Sequence, residues 1–124
     1  PSAQLARPYT MVGVNVVAAE TDEEARRLFT TTQQGFTNIL RGQPGPFQPP
    51  LDDIEGYWTP VEKMQALRML RYAISGSPAT VRTGLERLVS LTQADEVMVV
   101  SYIYEHALRV RSYEILADAA QLRA

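Results

Sequence analysis

The residues equipped for chemistry in this sequence are few, and they gather at two places. The first is "SYIYEHALRVR" at 101–111, which holds the only histidine, His106, with Ser101, Tyr102, Tyr104, Arg109 and Arg111. It follows an apolar run of strand length, so these polar groups sit at a strand's carboxyl end, where parallel α/β folds assemble their sites. A histidine there serves as a proton donor or a ligand contact. The structural alternative is a histidine that opens a helix and bonds a neighbour. Arg109 and Arg111 carry guanidinium groups suited to phosphate or carboxylate. Two positions apart on a helix they diverge by about 200°, so one ligand does not engage both. Ion pairs with Glu105 or Glu114 are the plainer role. The hydroxyls of Ser101, Tyr102 and Tyr104 reach a ligand at the same strand end, or the tyrosines simply cover core.

The second place is "SGSPATV" at 75–81. Gly76 and Ser77 precede a helix start whose free N–H groups and dipole favour an anion, so they are the candidate phosphate contact. Against this, Pro78 removes one donor and no Lys or Arg lies within 76–81. Ser77 as N-cap with Pro78 at the first helical position also describes an ordinary strand-to-helix corner. Asp52, Asp53 and Glu55 would form at most a crude cation site, and one histidine with no cysteine argues against a transition metal. No nucleophile–base couple or carboxylate pair emerges, so no catalytic residue is assigned.

The elements that must position these groups follow from periodicity. Residues 9–19 read as a strand with Val12, Val14 and Val16 on one face and Met11, Gly13 and Asn15 on the other. That pattern predicts valines against a helix layer and an opposite face lining a tight, partly polar interior. Thr21-x-x-Glu24 starts a helix, with Asp22, Glu23 and Glu24 at its positive end. Ala25, Leu28, Phe29, Thr32, Phe36 and Ile39 form its expected buried stripe. Residues 42–58 are an irregular Pro/Gly-rich loop, expected to run extended over the surface. Thr59-Pro60-Val61-Glu62 opens a second helix running to about Leu70. A short strand in "YAISG" leads to a helix with Val81, Leu85 and Leu88 inward. The run at 95–101 predicts a parallel strand covered on both faces, and a last helix spans about 106–123 with Leu108, Ile115, Leu116 and Ala119 on one side.

Alternating strands and helices imply right-handed crossovers and a parallel sheet, hence an α/β fold. So few strands leave open edges, and we expect part of a larger sheet, its edges protected by self-association. At 124 residues there is room for one domain, and the opening Pro1 suits a trimmed or excised piece. With 45% hydrophobic and 21% charged residues the chain is globular rather than disordered. A net charge of −2 gives no reason to expect nucleic acid. No apolar run approaches the roughly 20 residues needed to span a bilayer. The lack of cysteine excludes disulfides and suits a cytoplasmic location.

The stretches "RPYTMVGVNVVAAETDEEARRL", "LRGQPGPFQPPLDD", "YWTPVE", "GSPATVRTGLERL" and "ADEVMVVSYIYEHALRVRSYEILA", in this order, resemble the C-terminal region of luciferase-like flavin-dependent monooxygenases over essentially the whole chain. Glu105 stands where this motif has Asp, so no role is carried onto it. The resemblance implies a partial (β/α)8 TIM barrel: its last two or three βα units, with the Pro-rich segment as a long insertion. It implies a parent enzyme that uses reduced FMN, or the deazaflavin F420, and oxygen to oxidise a small organic substrate. The N-terminal remainder of the barrel would be the partner of this piece, which alone would hold no cofactor and be inactive. In the complete barrel Gly76, Ser77, Ser101, Tyr104, His106 and Arg109 would approach the pocket mouth. The competing expectation is a non-catalytic α/β module that self-associates or grips a partner through open strand edges and "PGPFQPP".

Overall fold

The structure, a computed structural model, describes residues 9–120. Valines at alternate positions make β1 (Met11–Ala18) two-faced: Val14 and Val16 are buried, while Met11 and Gly13 on the other side are exposed. β2 (Ile74–Gly76) and β3 (Glu96–Val100) flank β1, both parallel to it, in the order β2-β1-β3. Val12, Val14 and Val16 lie opposite Val97, Val99 and Ile74, so all six side chains share one face. α3 (Pro78–Thr92) and α4 (His106–Ala120) cover that face with Val81, Leu85, Leu88, Ile115 and Leu116. Burying a side chain such as the fully enclosed Val16 contributes about 1.5–3 kcal/mol. The fold is a mixed α/β unit around a small parallel sheet.

One expectation is corrected here. β3 is not covered on both faces: Met98 is 54% exposed, because α3 and α4 pack on the Val12–Val16 side, and on the other side Ala25 and Leu28 reach only Val17 at the end of β1. The strand order also differs from successive barrel units, which would run β1-β2-β3. Ladder length explains it, since β1 offers β3 five registered partners while β2 is only three residues long. The last helix is traced to Ala120, and its predicted extension to Arg123 lies outside the described residues.

Between β1 and β2 stand α1 (Asp22–Leu40) and α2 (Pro60–Met69). The Thr21 hydroxyl caps α1 by accepting from the Glu24 N–H, and Thr59 and Glu62 form a complete capping box on α2. Gly42, at φ 73°, ends α1 in the left-handed conformation that costs glycine nothing. Arg41 then grips Glu62 with two hydrogen bonds of 2.8 and 2.9 Å and donates to the Tyr57 carbonyl at 2.7 Å. That guanidinium, followed by the Thr59 N–H, holds the Glu62 carboxyl down from 4.5 to about 2.

The proline-rich loop is not merely extended over the surface. Prolines supply carbonyls without N–H groups, and α1 provides the missing donors. Thr31 donates to the Gln48 carbonyl at 2.8 Å and Gln34 to that of Pro49 at 3.0 Å. The Leu51 N–H donates to Thr30 Oγ1 at 2.8 Å. Thr30, Thr31 and Gln34 are therefore buried beside the predicted Ala25, Leu28 and Thr32, as is Thr37, whose hydroxyl donates to the Gln33 carbonyl, whereas Ile39 is exposed. The loop contains a short 3-10 turn (Ile54–Gly56), and Ile54 and Trp58 bury against Ala66.

Candidate functional site at the carboxyl ends of the strands

The three strands end at Ala18, Gly76 and Val100. There the backbone is tied by buried serines. Ser101 Oγ donates to the Val16 carbonyl at 2.7 Å, and the Ala18 N–H donates to Ser112 Oγ at 2.9 Å. Ser101 is thus committed to the fold, with Tyr113 Oη 3.3 Å from its N–H. Ser112 was not singled out by sequence. Its signal was its position, a small polar residue in phase with Leu108 and Ile115 on the inward side of α4.

The Gly76–Ser77 corner already receives an anion, and it is intramolecular. The Ser77 N–H donates to Asp22 Oδ1 at 2.8 Å, while Ser77 Oγ lies 3.3 Å from Thr80 Oγ1 and makes no cap to the backbone. The Ser77 N–H, followed by the Thr80 hydroxyl, holds the Asp22 carboxyl below the usual carboxylate range. Gly76 is required by this closeness: a Cβ there would lie 2.5 Å from Thr80 Cβ and 2.9 Å from Asp22 Oδ1.

His106 and Arg109 are brought together. Arg109 Nη2 lies 2.9 Å from His106 Nδ1, and its Nη1 donates to the Ile103 carbonyl at 2.9 Å. A guanidinium only donates, so Nδ1 accepts and the ring proton sits on Nε2. His106 opens α4 and is exposed, as Tyr104 is at 49%. Arg111 points elsewhere, pairing with Glu20 and with Glu114 at 3.3 Å. Tyr102 packs edge-on against Phe47 of the proline-rich loop at 5.2 Å. Asp52 pairs with Arg27 and Glu55 with Lys63, while Asp53 Oδ1 accepts from the Glu55 N–H. No group of three potential metal ligands occurs among the described residues.

Asn15 sits opposite Val100, on the face of β1 that carries the exposed Gly13 before it and Val17, buried against α1, after it. Its Oδ1 is buried and has no hydrogen-bond partner. The sequence placed Asn15 on the face expected to line a tight, partly polar interior; the orphaned oxygen makes it a candidate ligand contact.

This geometry defines a parallel α/β unit with polar groups at its strand ends and one sheet face largely open away from those ends. No family model matches the chain. It is 46% identical over 118 residues to the Bacillus subtilis protein YvbT, covering 95% of this chain and 35% of that protein. To the luciferase-like monooxygenase of Escherichia coli K12 it is 37% identical over 121 residues, covering 98% of this chain and 36% of the relative. The crystal structure of apo-MsnO8 superposes with a TM-score of 0.66 at 28% identity, over 93% of this chain and 36% of that one. The chain is similar to a luciferase-like protein, and it spans about a third of the length of the curated relatives it matches. No helix among the described residues is long and apolar enough to cross a membrane.

Proposed function

We propose that this chain is the C-terminal third of a flavin-dependent luciferase-like monooxygenase built on a (β/α)8 barrel. The observation that carries this reading is the half-bare sheet face, where Met11, Gly13 and Met98 are exposed and Asn15 Oδ1 is orphaned, while α1 covers only Val17 at the strand end. In a complete barrel that face is the interior. The β1–β3 ladder would then open, and β3 would take the free edge of β2. The N-terminal remainder of the barrel is the partner, and the parent enzyme self-associates in the cytoplasm.

Reduced FMN, or F420, would supply electrons to oxygen for the oxidation of a small organic substrate. The residues present fit such a group unevenly. Asn15 Oδ1 fits a ring N–H donor, since it lacks one. The Gly76–Ser77 corner fits a phosphate poorly, because Asp22 already fills the anion position and would repel a second one. Arg109 holds His106 with Nε2–H as its remaining donor, suited to a substrate or oxygen contact beside Tyr104.

The test is a fluorescence titration of the full-length protein and of the 124-residue chain with FMN and with F420. The full-length protein should bind one of them, and the chain alone should bind neither measurably. Absence of binding to the full-length protein refutes flavin use. Equal affinity for the chain alone refutes the incomplete barrel.

A further inference from the structure

We propose that the slot between α1 and the proline-rich loop is a binding site for a flat, uncharged, largely apolar molecule of one or two rings. The slot has a volume of about 220 Å³ and no charged side chain in its lining. A cavity of about 150 Å³ accepts benzene, while drug-sized ligands occupy pockets of about 300–1,000 Å³. The volume therefore suits one or two rings. Its walls are Phe36, Ile39, Pro46 and the pair Phe47–Tyr102, whose rings meet at 70°.

The decisive feature is Gly35 on the helix side of the slot. Glycine is a poor choice inside a helix, and here no packing demands it: a Cβ at Gly35 would meet nothing within 4 Å. A residue that weakens α1 and relieves no internal crowding instead keeps the slot open and flat. The polar atoms nearby are largely spent. Thr31 and Thr32 donate to the carbonyls of Gln48 and Tyr102 at 2.8 and 3.1 Å, and Asn38 Oδ1 accepts from Tyr57. The Asn38 amide nitrogen is left as a donor to one acceptor on the ligand, such as a phenol or carbonyl oxygen.

The slot is a property of the 124-residue chain, in which β3 beside β1 places Tyr102 against Phe47, and its test needs neither cofactor nor turnover. That chain is titrated with 2-naphthol and, separately, with the anion 2-naphthoate. Saturable binding of 2-naphthol is expected, with 2-naphthoate at least tenfold weaker. Gly35→Leu should weaken 2-naphthol binding at least tenfold without lowering the melting temperature. Should that variant fail to fold, Gly35→Ala, whose methyl meets no neighbour, is expected to weaken binding several-fold. No saturable binding, equal binding of the anion, or undiminished affinity in the folded glycine variant overturns the proposal.

Discussion

Asp22 and Ser77 stand 55 residues apart in sequence, yet the Asp22 carboxylate accepts the Ser77 N–H at 2.8 Å. The first residue of α1 thereby caps the start of α3 and fastens the two crossovers together above the sheet. Because the folded carboxyl titrates below its ordinary range, the bond's stabilisation is present above the unfolded value, about 3.9, and is lost as pH falls below it. Asp22→Asn keeps an oxygen acceptor and removes the charge. Its melting temperature should fall below that of the unsubstituted protein at pH 7, with the gap narrowing as acid titrates the folded carboxyl, below its ordinary range. A gap that does not narrow at all on acidification would show that charge is not what stabilises the corner.

The same closeness makes Gly76 intolerant. A methyl group there would press on Thr80 Cβ, an atom fixed to the helix backbone. Gly76→Ala should destabilise the protein by about 1–3 kcal/mol, as overpacking does. Combining it with Thr80→Ala should not restore stability, since the offending Cβ remains. Denaturant unfolding of the single and double variants decides this, and rescue by Thr80→Ala would place the clash on the Thr80 methyl rather than on its Cβ.

Ser101 and Ser112 both hold β1, but their loss should cost different amounts. Ser112→Ala strands the buried Ala18 N–H, and an unmade buried bond costs about 1–3 kcal/mol. Ser101→Ala removes a donor from a carbonyl that can accept twice, a loss nearer the ordinary about 0.5–1.5 kcal/mol. Urea unfolding should therefore rank Ser112→Ala as the weaker variant, and the reverse order would mean that the Val16 carbonyl depends on Ser101.

What the sequence made legible was local. Thr59-Pro60-Val61-Glu62 announced a cap that the structure forms in full, and alternating valines told which face of β1 meets α3 and α4. The strand order was not legible, because it depends on which edge offers β3 the longer ladder, and periodicity carries no such information. An unbroken apolar run in β3 likewise could not reveal that one of its faces is bare. The buried polar positions of α1 escaped a search for apolar spacing. Yet "TTTQQ" beside a proline-rich stretch is a chemical signal, a set of side-chain donors matched to carbonyls that lack backbone partners. Asp22 was legible as a helix start but not as the partner of Ser77, a contact set by how the two crossovers stack. At the strand ends His106 and Arg109 were both visible, three residues apart on one helix, but the bond between them depends on a rotamer.

Asn15 separates a structural from a binding role by two measurements with opposite signs. A buried oxygen without a partner costs the fold about 1–3 kcal/mol, so Asn15→Ala should raise the melting temperature of the ligand-free full-length protein. If the oxygen accepts a flavin ring N–H, the same substitution should weaken flavin binding by about tenfold, the worth of about 1.4 kcal/mol. Natural proteins tolerate such a cost where function needs the group, so a gain in stability paired with a loss of affinity is the expected signature. Greater stability with unchanged affinity would remove Asn15 from the flavin site. A lower melting temperature would mean that the remainder of the barrel satisfies the oxygen itself, leaving it with a structural bond rather than a ligand contact.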